Sequence, residues 1–496
     1  MVLKTSRLCN VSKGGRQGWD LLHLVSVLCL GLLLFCTYRL YKDAYFGDDD
    51  FRNLYWVQQN SFVSMIGYLV APISSYFRPA GMMCYWVLLR FFDLNPAAYH
   101  WLAWSFHAAN TALVYFILKR LTGSGPGAAV GAVLFASEAA FAEIYGCFCT
   151  IFELVAAFFS FIGILLWTSE RRGWWRVVLA SLTLLLAMKG KEMAITLPLV
   201  WLSYDLLLRK DMNWRMAAHW ALPGGLALWY GLTKTLAMRG VASESLTVLL
   251  LTPFTALGFV AAACFGIFGW LQVTNFDPYH LSINWSTLSS GFGYYLNMLF
   301  STNFRWEIWF VSIVALLLVL ALSRQRLALF FGLYVFITFL PVIFLINHRF
   351  VFYWYLPFLG VCGLAAVLAK KVYSVIEMRN PRWLTQGGAS AAFVLLCWVV
   401  FQVHKEANRP KMSFWKDRAH EHRALVTGLR ALPPPPPGET IFFDSKPSHF
   451  DETVLLSATQ VVLGRTDLRV RLVTQFPPEA RYRMRFRDSH LVRVSQ

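Results

Sequence analysis

LLHLVSVLCLGLLLFCTYRL, residues 21–40, decides the fold class. The stretch carries one formal charge, Arg39, close to its end. A helix rises about 1.5 Å per residue, so a run of this length matches the ~30 Å hydrocarbon core of a bilayer. Lys4, Arg7, Lys13 and Arg16 precede it, which resembles the start of a secretory signal. The apolar run is too long for one, however, and no small-residue cleavage site follows. It reads as a retained first span whose basic start, residues 1–19, stays in the cytoplasm.

The rest of the chain repeats this signal. Of its 496 residues, 57% are hydrophobic and only 15% charged, whereas soluble domains carry about a quarter. The net charge of +18 invites a nucleic-acid partner, but the basic residues gather at the ends of apolar runs. Lys119-Arg120, Arg171-Arg172, Arg209-Lys210, Arg324 with Arg326, and Lys370-Lys371 all do so. That placement is the positive-inside pattern and fixes topology, so nucleic acid drops out. The nine cysteines are scattered, and the tail beyond Lys405 holds none, so no disulfide framework is expected there.

The basic clusters assign sides to eleven apolar segments. After residues 21–40 and an outer loop over 42–97 come His100–Leu118, Gly127–Tyr145, Thr150–Trp167, Trp174–Met188, Ala194–Leu208 and Ala217–Leu236. Ile308–Leu322, Leu327–Ile346, Phe352–Leu368 and Ala389–Val403 complete the set. Between Arg239 and Arg305, Leu246–Val273 and Gly291–Phe300 add either two crossings or none. Met82–Phe92 is too short to cross and reads as an interfacial helix. Residues 406–496 change character: a helix-like stretch to Leu432, the stiff Pro433–Pro437 run, then strand-like Thr440–Phe443, Val461–Leu463 and Leu468–Val473. The expected architecture is an all-α polytopic membrane protein, residues 20–405, with about 11–13 transmembrane helices. A small soluble α/β module follows on the outer side.

Acidic residues are rare in spans because burying a charge there is costly. Here they collect at ends assigned to the outer face: Asp48, Asp49 and Asp50 after the first span, then Glu138, Glu143 and Glu153. Cations join them from other segments: Arg78, Lys189, Lys191 beside Glu192, and Arg349 beside His348. A reaction that needs a carboxylate base and cationic phosphate-holders wants this convergence. His100 and His107, two helical turns apart, read as packing histidines.

Three stretches carry a resemblance. Gly47-Asp48-Asp49-Asp50-Phe51 is similar to the acidic pair that the GT-C glycosyltransferases carry in their first outer loop. Tyr76-Phe77-Arg78-Pro79, followed by Tyr99-His100 through His107 and Asn110, resembles an Arg-Pro and a His-rich second span. Phe135–Val155, with Glu143 and Glu153-Leu154, and then Lys191-Glu192-Met193-Ala194-Ile195-Thr196-Leu197-Pro198 resemble a Lys-Glu-x-Ala-x-x-Leu-Pro signature. Tyr353–Pro357 is similar to an aromatic-Leu-Pro in a late span. The chain thus resembles, over about residues 20–370, the bacterial relatives of the TMTC/PMT-type protein O-mannosyltransferases. It departs from them at Glu138-Ala139, where the family has His-Pro, and at Phe141, where it has a second His. These departures bear on the acceptor and on the sugar. The eukaryotic members' tetratricopeptide repeats are absent, and the small C-terminal module stands in their place.

The resemblance implies a GT-C type enzyme of the bacterial inner membrane, with its active site and C-terminus facing the periplasm. It would move a mannose-like sugar, with inversion, from a polyprenyl- or dolichyl-phosphate carrier to a hydroxyl of a protein, glycan or lipid. Asp49 is the expected general base, with Asp48 next and Asp50 third in the same register. Arg78, Lys191 and Arg349 would hold the phosphate, since guanidinium and ammonium groups suit its oxygens. Glu143 and Glu192 would pair with or orient these cations, and Glu138 and His348 belong to the same substrate-binding set. No cofactor beyond the lipid-phosphate sugar is expected, and no metal. Asp48-x-Asp50 matches the metal motif of nucleotide-sugar transferases, but their nucleotide domain has no counterpart here. A transporter or lipid-linked-sugar flippase, and a catalytically silent assembly partner, are the other classes compatible with polytopic helices and outer charges.

Overall fold

The computed structural model describes residues 21–70, 78–170, 173–209, 214–238, 275–276, 279–280, 285–300, 306–346, 348–487 and 490–494. The expected crossing over Leu246–Val273 lies outside them. Each of the eleven expected spans falls largely on helix. Six helices among the described residues are long and apolar enough to cross a membrane: Leu22–Leu40, Pro96–Thr122, Phe148–Trp167, Arg326–Ile343, Phe358–Arg379 and Trp383–Ala407. Their outward residues, such as Leu28, Leu32, Leu368 and Leu395, are exposed, as lipid-facing side chains should be.

Local chemistry sets the ends. Pro96–Thr122 begins with Pro at its first position and an Asn95 side chain that accepts from the Ala97 N–H at 3.2 Å. It ends at Gly123, whose φ of +67° closes the helix at little steric cost. The next helix, Gly125–Ser137, lies almost against Phe358–Arg379: a Cβ at Gly131 would come within 2.8 Å of the Cys362 carbonyl. Only small residues permit backbones this close.

One expected span is broken. Gly127–Tyr145 reads as continuous helix, but the chain leaves helical geometry at Glu138 and bends by 42°. The Glu138 side chain then caps a short 3-10 turn by accepting from the Ala140 N–H at 3.0 Å. The carbonyls freed by the break find donors from elsewhere. His404 donates to Ser137 O at 3.2 Å, Asn408 to Ala139 O at 3.0 Å, and Tyr145 OH to Ala136 O at 3.3 Å. Apolar surroundings tolerate irregular backbone only when it is satisfied in this way.

The tail is an α/β unit. Helix Arg409–Arg430 follows the last span directly after Asn408. A four-stranded sheet then runs in the order Arg469–Leu472, Thr440–Phe443, Tyr482–Arg487, His490–Arg493, with the first two pairings parallel and the last antiparallel. Val461–Leu463, read above as a strand, is instead the end of helix Glu452–Leu463. That helix starts at an Asp451 cap on the Val454 N–H, ends at Gly464, and buries Leu455 and Ala458.

Candidate functional site

The helix Asp48–Gln58 presents three acids in its first turn, where the helix dipole favours negative charge. Their surroundings differ. Asp50 is fully buried: one oxygen accepts from the Gly47 N–H at 2.6 Å and the other from Tyr85 OH at 2.5 Å. Burial pushes its carboxyl up to about 7, against the lowering pull of those two bonds. Asp48 is ion-paired with Arg418 of the tail helix Arg409–Arg430, and His422 Nε2 lies 3.7 Å from the same carboxylate. Asp49 stays open, its side chain 67% exposed, with Arg52 at 3.8 Å.

A second group of charges forms between Arg78, the 3-10 segment Glu192–Thr196 and the helices around it. Lys191 Nζ sits 2.5 Å from Glu153, and both side chains are buried. Arg78 Nε and Lys234 Nζ approach the two oxygens of Glu192 at 3.0 and 3.1 Å. Burial alone would raise the Glu192 carboxyl, but Arg78, Lys234 and Lys191 override it and hold it well below the usual carboxylate range. Lys189 donates to Tyr68 O at 3.4 Å nearby. Cations outnumber acids in this group, so it keeps a positive excess suited to an anion.

Aromatic rings link the two groups. Helix Pro79–Phe92 carries Arg78 at its start and Tyr85 two turns on. Tyr85 packs against Phe152 at 6.2 Å, and the Arg78 guanidinium lies 5.7 Å from that same ring. Lys191 rests on Tyr353 at 5.1 Å, and Tyr353 leads through Phe350 to His348. Glu143, at the broken span, has Lys411 and Glu153 as its charged neighbours. Arg349 donates to Leu345 O and Ser290 Oγ and lies over Tyr294. Glu138 serves as the helix cap described above.

No family model matches the sequence, and no curated protein matches it. Among solved structures, ArnT from Cupriavidus metallidurans bound to undecaprenyl phosphate superposes with a TM-score of 0.50 at 12% identity, covering 90% of this chain and 85% of that one. The chain has an ArnT-like fold. ArnT in the apo state superposes with a TM-score of 0.47 at 11% identity over the same shares. At such identity the ArnT likeness extends to the path of the chain, and residue roles must come from the chain itself.

Several members of the candidate site were not among the residues singled out from sequence. Lys234 is the one Lys, Arg, Asp or Glu within the expected span Ala217–Leu236, and that isolation was a usable signal. Arg418 and His422 stand at i and i+4 of the tail helix and so share a face. Nothing local names Asp48, hundreds of residues earlier, as their partner. Tyr85 gave no signal, since a tyrosine in an apolar helix is commonly packing. His107 is satisfied as expected, with Tyr355 OH at 2.8 Å and Ala136 O at 3.3 Å.

Proposed function

We propose that this chain is an integral-membrane glycosyltransferase that moves a sugar from a polyprenyl-phosphate carrier to an acceptor hydroxyl at the outer face of the membrane. The observation that carries this reading is the division of the acidic triplet. Asp48 is engaged by Arg418, Asp50 is buried, and Asp49 remains accessible. Asp49 takes the acceptor hydroxyl's proton as the oxygen attacks the anomeric carbon. The bond to the lipid phosphate breaks on the opposite side, which inverts the configuration. Arg78, Lys191 and Lys234 offset the charge of the departing phosphate, while Glu153 and Glu192 keep those cations aligned. ArnT is described as binding undecaprenyl phosphate, and the shared fold favours a lipid of that class. A mannose-like sugar is the donor group that the Lys191–Pro198 resemblance favours, with the periplasmic side of an inner membrane as the outer face.

The test is turnover by the full chain in proteoliposomes. Radiolabelled polyprenyl-phosphate mannose and an acceptor bearing a free hydroxyl should yield labelled, inverted product, and Asp49→Asn should cut its formation about 10²–10⁴-fold. Movement of intact labelled lipid across the bilayer without transfer would instead favour a flippase.

A further inference from the structure

Beneath the acidic turn lies a donor set that the transfer reaction leaves unused. The connection Cys147-Phe148-Cys149 joins the broken span to helix Ile151–Trp167. Its two sulfurs lie 2.7 Å apart, and an oxygen of Asp50 joins them, the three atoms all within 4.8 Å of one another. Cys147 and Asp50 are buried and Cys149 is half-buried. Gly47 forms the roof: a Cβ there would come 3.4 Å from Cys147 Sγ and 3.5 Å from Asp50 Oδ2. Asp50 is held by one hydrogen bond on each oxygen, from Gly47 N and Tyr85 OH, and each oxygen keeps a lone pair.

We propose that Asp50, Cys147 and Cys149 bind a zinc ion. Two thiolates and a carboxylate favour zinc over magnesium or calcium, which prefer all-oxygen shells. Three protein ligands leave a fourth position for water, the tetrahedral arrangement zinc takes. Binding replaces the two thiol protons, released to solvent, with two Zn–S bonds of about 2.3 Å, and the sulfurs move apart by roughly 1 Å to span the ion. Gly47 N–H and Tyr85 OH become the outer partners that orient the ligating carboxylate. The ion then ties the first turn of the helix Asp48–Gln58 to the broken span, fixing the turn that presents Asp49. It takes no part in proton transfer, and the proposal does not depend on the glycosyltransferase reading.

The experiment uses the full chain purified in detergent without chelator, dialysed against dilute zinc chloride and then against zinc-free buffer. Elemental mass spectrometry should find one zinc per chain, and cobalt loading should give a thiolate-to-metal charge-transfer band. Cys149→Ser and Asp50→Asn should lose the metal by tenfold or more. Cys84→Ser, whose sulfur contacts Ala80 O elsewhere, should keep it. Tyr85→Phe should weaken zinc affinity by about 10–100-fold while keeping the stoichiometry. Should a variant fail to fold, wild-type zinc content and the cobalt spectrum still decide. Wild type holding a negligible fraction of an ion per chain overturns the proposal. So does an unreduced intact mass two hydrogens lighter with both thiols unreactive, since the pair would then be a disulfide.

Discussion

Asp48, Asp49 and Asp50 are chemically identical, and only their neighbours separate them. Asp49→Asn keeps size and shape but accepts no proton, so turnover should fall about 10²–10⁴-fold while donor affinity holds. Asp48→Asn should act differently, because it strands the Arg418 guanidinium in a setting only 16% exposed. The expected result is a loss of about 1–3 kcal/mol in thermal stability, with turnover reduced less than by Asp49→Asn. If Asp48→Asn is dead and Asp49→Asn transfers at the wild-type rate, the assignment of the base is wrong by one residue. Lys234→Met should raise the donor KM by tenfold or more with a smaller change in kcat, measured in the same proteoliposomes, because it removes a charge facing Glu192 and the phosphate. The presence of three acids after the first span was plain from sequence. Their separate surroundings were not, since Tyr85 and Arg418 create them from remote parts of the chain.

At the scale of elements, the tail helix Arg409–Arg430 is the counterpart of the first-loop helix. His422 is buried, donates from Nδ1 to Phe46 O at 2.6 Å, and packs on Phe450 at 4.6 Å and Phe51 at 6.1 Å. Burial lowers its pKa to about 4, with Phe46 O, Arg418, Asp48 and Glu421 as the other influences. The unfolded chain therefore binds a proton near pH 6.5 that the folded chain resists down to about 4. Stability contributed by neutral His422 is complete above about pH 6.5 and drains away as pH falls towards 4. Melting of the detergent-solubilised chain should drop over that window by the equivalent of a few kcal/mol at most. His422→Gln, which can still donate to Phe46 O, should flatten the slope; an unchanged slope would remove His422 as its source. Helices were legible here because apolar runs have a length that lipid dictates. The break at Glu138 was not, because Glu138-Ala139 reads as helix until His404 and Asn408 arrive from the last span to satisfy the freed carbonyls. The helix Glu452–Leu463 was missed for a related reason: its apolar Val461-Val462-Leu463 suits a strand equally well, and only the caps Asp451 and Gly464 argue otherwise.

Across the whole molecule, the contacts themselves constrain which ends share a side. Arg52 of the first loop pairs with Asp451 and bonds Thr453, and Arg430 pairs with Asp93 at 2.6 Å, so the loop and the C-terminal module must occupy one compartment. At the other end, Lys370 donates to Thr122 O at 2.5 Å, which gathers the basic termini of Pro96–Thr122 and Phe358–Arg379 together. The positive-inside pattern assigns that second end to the cytoplasm. Single cysteines at Gln59 and Glu452, both exposed, should therefore react with a membrane-impermeant maleimide in intact cells, in a background with the native cysteines replaced. A cysteine at Lys371 should react only after permeabilisation. Paired cysteines replacing Arg52 and Asp451 should also cross-link with a short bis-maleimide, because an Arg in contact with an Asp spans farther than a disulfide reaches. Cross-linking with labelling reversed would keep the fold and turn the protein over in the membrane, so that the acidic turn met a cytoplasmic acceptor. Labelling of Gln59 and Glu452 from opposite sides would be incompatible with the first loop and the tail touching at all.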